Sequence, residues 1–137
     1  MPVPLSSSVL VCEAILIEKS ELLSAIRIMD TLTLPAGAVL ARFYVLTRID
    51  SQPGDFEPHV LQVRMAFPDG GGWVPVATAP EQRFFYGYKL DKAGPGGFNL
   101  TTEFNVDLRP LRTPGTYWIQ VFVDGAYVNQ CPLTLRR

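Results

Sequence analysis

Few residues in this chain are able to carry chemistry. It has a single histidine, His59, and two cysteines, Cys12 and Cys131. Nucleophilic catalysis of the triad type needs a nucleophile, a base beside it and a third group that orients the base. His59 follows Pro58 at the start of an apolar alternation, with no second His, no Cys and no nucleophile-elbow Ser nearby. A surface or structural histidine is the plainer reading. The cysteines show neither Cys-x-x-Cys nor Cys/His spacing, so zinc is not indicated. They lie near opposite ends of the chain in apolar surroundings, which fits two buried thiols. A disulfide would need the first and last strands to be neighbours with suitable Cβ directions.

Paired carboxylates offer a second chemistry. The acids considered are Glu13, Asp30, Glu57, Glu103 and Asp107. Glu103 and Asp107 fall on one outward strand face, and the strand rise puts about 13 Å between them. That is too far for the pair of a retaining glycosidase, and an ordinary solvated face explains both. Asp69-Gly70 and Asp124-Gly125 supply one carboxylate each, where calcium takes roughly six to eight oxygens; turn chemistry accounts for them. Gly94-Pro95-Gly96-Gly97 lacks the Gly-Lys-Ser/Thr ending of a phosphate loop. The sequence therefore nominates no catalytic, metal or cofactor-binding residue. The expectation is a protein that is not an enzyme and carries no cofactor.

The aromatics are more informative. Phe84, Phe85, Tyr86 and Tyr88 crowd one run, and Trp118 and Phe122 share one face of a strand whose other face carries Tyr117, Ile119, Val121 and Val123. If the second set is core, Trp118 and Phe122 point away from it. Loops or terminal segments could cover them, a protein partner could, or they could stack on sugars; Trp, Tyr and Phe are enriched at protein interfaces. The candidate interface residues are Trp118, Phe122, Phe85 and Tyr86.

The elements that must position these residues read as strands. Pro114–Leu135 is a hairpin turning at Asp124-Gly125, because a two-residue β-turn between apolar runs wants φ > 0 at both positions. Phe98–Leu108 alternates, with Phe98, Leu100, Thr102, Phe104, Val106 and Leu108 inward. Val39–Asp50 and His59–Phe67 do likewise, the latter with Gln62 and Arg64 on a wet side. Val9–Glu18 is apolar on both faces and belongs to a covered or central strand. Leu23–Leu32 reads as one strand, with a helix over Ser20–Ile26 as its rival. Trp73–Thr78 and Arg83–Leu90 complete the set, and Pro/Gly-rich turns separate the segments. Twelve prolines and eleven glycines suit many short strands better than helices. The expected fold is all-β: an antiparallel β-sandwich, immunoglobulin-like or jelly-roll-like, of seven to nine strands in a single domain spanning 1–137.

Composition limits the partners. The 137 residues are 47% apolar and 18% charged, enough apolar content for a packed core. Net charge is −1, and the only basic doublet is Arg136-Arg137, so a phosphate-tracking nucleic-acid surface is not expected. No run of about 18 apolar residues offers a membrane helix. The first residues lack the basic region of a signal peptide. These features give the expectation of a soluble protein, cytoplasmic on synthesis.

Three places in the chain resemble a family of small bacterial proteins classed only as a domain of unknown function. Cys12-Glu13 precedes the Glu18–Glu21 turn and Ile28-Met29-Asp30; a Pro-containing loop leads into Arg42-Phe43-Tyr44-Val45-Leu46; and a Pro-Gly-x-Tyr strand, an Asp-Gly turn and a Pro-Leu strand occupy Pro114–Leu135. The resemblance implies an immunoglobulin-like sandwich and carries over no activity or site. The expected function is a structural or interaction module within a larger assembly, such as a phage or virus-like particle into which it is incorporated, through protein partners or self-association. The alternative is a carbohydrate-binding module using the exposed aromatics. Nucleic acid and membrane are not expected partners.

Overall fold

The computed structural model describes residues 7–17, 23–50, 57–85 and 97–137, without the side chains of residues 17, 97 and 98. Its strands are β1 (Ser7–Ile17), β2 (Leu23–Met29), β3 (Thr31–Thr33), β4 (Leu40–Asp50), β5 (Pro58–Asp69), β6 (Gly72–Thr78), β7 (Gln82–Phe85), β8 (Gly97–Asp107), β9 (Gly115–Val123) and β10 (Ala126–Arg136). Among the described residues no helix is long and apolar enough to cross a membrane.

Two sheets form a β-sandwich. One has the order β2-β1-β4-β8; the other has the order β3-β10-β9-β5-β6, with β7 also paired to β5. The all-β expectation holds, with ten described strands rather than seven to nine. The extra element is β3, whose three residues are too few to leave a periodic pattern; β7 falls at the start of the expected Arg83–Leu90 segment, the rest of which lies outside the described residues. Pairing is antiparallel except for β10 with β3, which is parallel.

The stretch expected as one strand over Leu23–Leu32 is two, and they lie in different sheets. β2 pairs with β1, while β3 pairs with β10. The crossing is held by backbone hydrogen bonds: Thr134 N–H donates to Asp30 O at 2.8 Å, and Leu34 N–H donates to Arg136 O at 2.7 Å. Side-chain alternation has the same period in either sheet, so it carries no sign of the switch.

The inward faces meet in one core. Phe43, Val45 and Ile49 of β4, Leu61 and Met65 of β5, Ile119, Val121 and Val123 of β9, and Leu133 and Leu135 of β10 are each 1% exposed or less. Each such side chain contributes roughly 1.5–3 kcal/mol of burial. Phe43 and Phe104 stack with centroids 5.2 Å apart, joining β4 to β8. On β8 and at the residue after it, Thr102, Phe104, Val106 and Leu108 are buried and Asn99, Thr101, Glu103, Asn105 and Asp107 exposed, as the alternation predicts.

The hairpin forms as expected. Asp124 and Gly125 have φ of 51° and 81°, and Val123 pairs with Ala126 across the turn. The start of β9 is fixed by its neighbour loop. The Tyr117 hydroxyl accepts from Arg112 N–H at 2.9 Å and donates to Arg112 O at 3.2 Å. A Cβ on Gly115 would lie 2.6 Å from Arg112 O, so only glycine lets the loop close this tightly.

Candidate interaction face

β9 sits between β10 and β5, and its register decides what surrounds its outward side chains. Phe122 stands opposite Gln62 of β5 and Tyr127 of β10; Gln120 stands opposite Arg64 and Gln130; Trp118 stands opposite Ala66 and Pro132. Directly opposed residues share a face. Pairing of β5 with β6 sets Trp73 opposite Pro68, which brings a second tryptophan to the same side. Tyr117, Ile119, Val121 and Val123 are all buried, so Trp118 and Phe122 do face away from the core.

A polar link runs across the middle of this face. Arg64 Nε–H donates to Gln120 Oε1 at 2.8 Å, and Gln120 Nε2–H donates to Gln130 Oε1 at 3.1 Å. Gln120 is 2% exposed; both ends of its amide are satisfied, which removes the penalty of burying it. Aromatic pairs flank the link. Trp73 and Trp118 meet edge to face at 6.3 Å, and Phe122 and Tyr127 at 6.2 Å. The Arg64 guanidinium lies over the Phe122 ring, 4.7 Å from its centroid, a cation–π distance. Arg64, Trp73, Gln120, Phe122, Tyr127 and Gln130 line a shallow depression of about 380 Å³. Tyr127 is 55% and Trp73 39% exposed.

Two of the four candidate interface residues, Trp118 and Phe122, therefore belong to one cluster. Phe85 does not join it. It is exposed and on the same side of the sheet, but it pairs with Pro58, about 13 Å along β5 from the Gln62 level. Its neighbour Phe84 turns inward instead, against the His59 ring at 5.3 Å. Tyr86 lies outside the described residues. The sequence reading missed Trp73, Tyr127, Arg64, Gln120 and Gln130 as members. Tyr127 was within reach: counting outward from the Asp124-Gly125 turn pairs it with Phe122.

The remaining chemical candidates resolve into structure. His59 is buried, and its Nδ1 lies 2.6 Å from Asp124 Oδ2, while Asp124 Oδ1 accepts from Val60 N–H at 2.9 Å. This pair ties the hairpin turn to β5. Glu103 pairs with Arg42 at 2.9 Å and Asp107 with Arg109 at 2.9 Å, two ordinary surface ion pairs. The Asp107 carboxyl is lowered to about 2 by its hydrogen bonds to the Arg109 side chain and backbone. Both cysteines are free. Cys12 shares the outer face of its sheet with Ile28 and Tyr44, while Cys131 stands opposite the inward Ile119; the two Cβ directions are those of different sheets and different faces. Burial pushes the Cys131 thiol up to about 11 and raises Cys12 as well, which leaves neither poised as a nucleophile. Among the described residues no three His, Cys, Asp or Glu side chains gather to hold a metal ion. A depression of about 870 Å³ lies between the ends of β5 and β6, the loop before β9 and the start of β9, lined by Pro68, Pro75, Pro110, Leu111, Pro114 and Tyr117 among others.

Comparison with known proteins adds the following. A model for a family of unknown function, DUF6941, matches residues 7–136. No curated protein matches the chain. Among solved structures, the Pseudomonas fluorescens alkylpurine DNA glycosylase AlkC, bound to DNA containing an abasic site analog, superposes with a TM-score of 0.52 at 12% identity. The match covers 94% of this chain and 30% of that one, so the chain spans under a third of the glycosylase. At that identity the likeness is one of fold.

Proposed function

For a chain that belongs to the DUF6941 family of unknown function, we propose a non-enzymatic role: it docks other proteins on the outer face of the β3-β10-β9-β5-β6 sheet, as a subunit of a larger assembly. A phage or virus-like particle subunit is one such role. The observation that carries this reading is the cluster of Trp73, Trp118, Phe122 and Tyr127 around Arg64 on a solvent-facing sheet. Trp, Tyr and Arg dominate the energetics of protein interfaces. Here they are held in place before any partner arrives, through the Arg64-Gln120-Gln130 link, which lowers the ordering cost of association. The immunoglobulin-like reading of the sandwich also has support, in the parallel β3–β10 edge pair and in the Tyr117 hydroxyl that closes on backbone five residues upstream.

The opposite outer face contrasts with this one. Along β1, β2, β4 and β8 charged residues are closed into pairs, including Arg27–Glu13, Arg42–Glu103 and Arg48–Asp50. Sugar stacking is less well supported on the aromatic face. Its rings meet edge to face rather than lying flat side by side, and the two buried-side amides already bond to one another. The glycosylase neighbour was solved with DNA, but the outward cations of this face are scattered: Arg83 stands opposite Val60, about 13 Å along β5 from Arg64, and Arg136 lies about 20 Å along β10 from the Gln130 level, where a phosphate-tracking surface needs a continuous basic patch.

The test compares wild type with Tyr127→Ala and Trp118→Ala by light scattering in solution and by co-purification from the native source. The docking reading expects partners, or self-association, that both variants lose while circular dichroism and the urea midpoint hold. It fails if association survives both changes, or if a monomeric wild type binds immobilised glycans through these side chains. It also fails if Trp118→Ala costs about 3–5 kcal/mol of stability, the mark of a core residue, and Tyr127→Ala changes nothing.

A further inference from the structure

Resting on the docking reading above, we infer that the partner inserts a carboxylate, an Asp or Glu side chain flanked by apolar residues, against Arg64. Arg64 is half-buried on the outer face of β5. Its Nε–H is committed to Gln120 and its plane to the Phe122 ring. The remaining N–H groups have no acceptor among the described residues. On the opposite sheet the arginines close onto acids: Arg27 on Glu13, Arg42 on Glu103, Arg48 on Asp50 and Arg109 on Asp107. The aromatic face has amides where those faces have acids: Gln62, Gln120 and Gln130 surround Arg64 by register.

The chemistry follows from that arrangement. The guanidinium fork is fixed in plane by its ring and its Nε bond, so a carboxylate meeting its free edge forms two charge-assisted hydrogen bonds without further ordering of the arginine. Trp73, Phe122 and Tyr127 form the wall of the same depression and would exclude water from that contact, which strengthens it. By register the outward positions of β5, β9 and β10 carry no Asp or Glu, so a second copy docking by this same face about a twofold axis has no carboxylate there to offer Arg64, and a different protein is the occupant. A nucleic-acid phosphate would satisfy the same fork. It is disfavoured here because the next outward cation, Arg83, stands opposite Val60, about 13 Å along β5, and the rings stand edge to face instead of presenting a row of stacking surfaces.

The experiment pans a library of short random peptides on wild type, Arg64→Gln and Tyr127→Ala proteins, each first shown to be folded by circular dichroism. The best wild-type peptide is then resynthesised with its acid replaced by the amide. The expected result is enrichment of peptides with Asp or Glu beside apolar residues on wild type. Affinity should fall about tenfold on Arg64→Gln and about tenfold on amide replacement, with no further loss when both are combined. Enriched peptides without an acidic position overturn the inference and leave the docking face standing. So does an amide penalty that is the same on Arg64→Gln as on wild type. A single-stranded oligonucleotide that binds through Arg64 and displaces the peptide overturns it in favour of phosphate. Peptide affinity unchanged by Tyr127→Ala overturns the docking face itself, and failure to enrich any peptide overturns both.

Discussion

Asp124 does two things at once, and a series of substitutions there separates them. Its backbone takes φ of 51° in the β9–β10 turn. Its carboxylate accepts from Val60 N–H at 2.9 Å and lies 2.6 Å from His59 Nδ1. The His59 side chain is 0% exposed and that of Asp124 27%, so the second bond is largely out of water. Hydrogen bonds to a charged group are each worth about 1.5–3 kcal/mol; with one end partly wet, losing both should cost about 2–4 kcal/mol. A residue with a Cβ in the left-handed region costs about 1–2 kcal/mol, while Asn tolerates it and Gly is free of it. Asp124→Asn keeps the turn and one acceptor, and should lose about 1–2 kcal/mol. Asp124→Gly keeps the turn alone and should lose the full hydrogen-bond contribution, about 2–4 kcal/mol. Asp124→Ala loses the turn preference as well; after allowing for the greater freedom of unfolded glycine it should fall about 1 kcal/mol below Gly. Urea unfolding followed by tryptophan fluorescence reads the series. With a slope of about 2 kcal/mol/M, a 3 kcal/mol loss moves the midpoint by about 1.5 M. If Asp124→Gly costs under about 0.5 kcal/mol, well below one such bond, the His59–Asp124 link is not what ties the turn to β5. If Ala is no worse than Gly, the backbone part of the reasoning is wrong.

Two further expectations concern sites away from the aromatic face. Thr47 is 0% exposed, and its hydroxyl has no hydrogen-bond partner among the described residues; Thr47→Val keeps the shape and removes an unsatisfied polar group, so it should stabilise by about 1 kcal/mol and raise the melting temperature by about 3 °C, and a fall in melting temperature would show that the hydroxyl is in fact bonded. Asp107 is lowered to about 2 by the Arg109 side chain and then its backbone N–H. Because the folded value lies below the unfolded one, the contribution is present above the unfolded value of about 3.9 and disappears as pH falls through the folded value. Arg109→Ala should move the carboxyl midpoint, followed by carbon NMR, upward toward the ordinary range, though not all the way, since the backbone hydrogen bond from residue 109 persists. An unmoved midpoint would remove Arg109 as the cause.

Much of this molecule is local information. The period of two along β4, β8 and β9 separates inward from outward side chains without knowledge of any partner strand, which is why Trp118 and Phe122 could be placed opposite the core face before any fold was known. Asp124-Gly125 fixes the hairpin register, because only a few residue pairs accept two left-handed conformations in succession. That register already contains the Phe122–Tyr127 contact. Phe85 looked equivalent to Trp118 by residue type, yet it lies apart, since residue type does not say how far along a strand a neighbour sits.

Tertiary structure decided the rest. Arg64 and Gln120 are 56 residues apart in sequence and meet because β5 pairs with β9, a choice that depends on how all the strands close the core together. The same holds for Trp73, carried to Trp118 by the β5–β6 hairpin, and for the change of sheet at Asp30. Alternation states which way a side chain points. It does not state which strand lies beside it, because that pairing is settled by long-range burial and backbone hydrogen bonding and leaves no periodic trace in either partner. The sequence thus determined that this protein turns large aromatics away from its core, and the packing of distant strands determined that they surround an arginine.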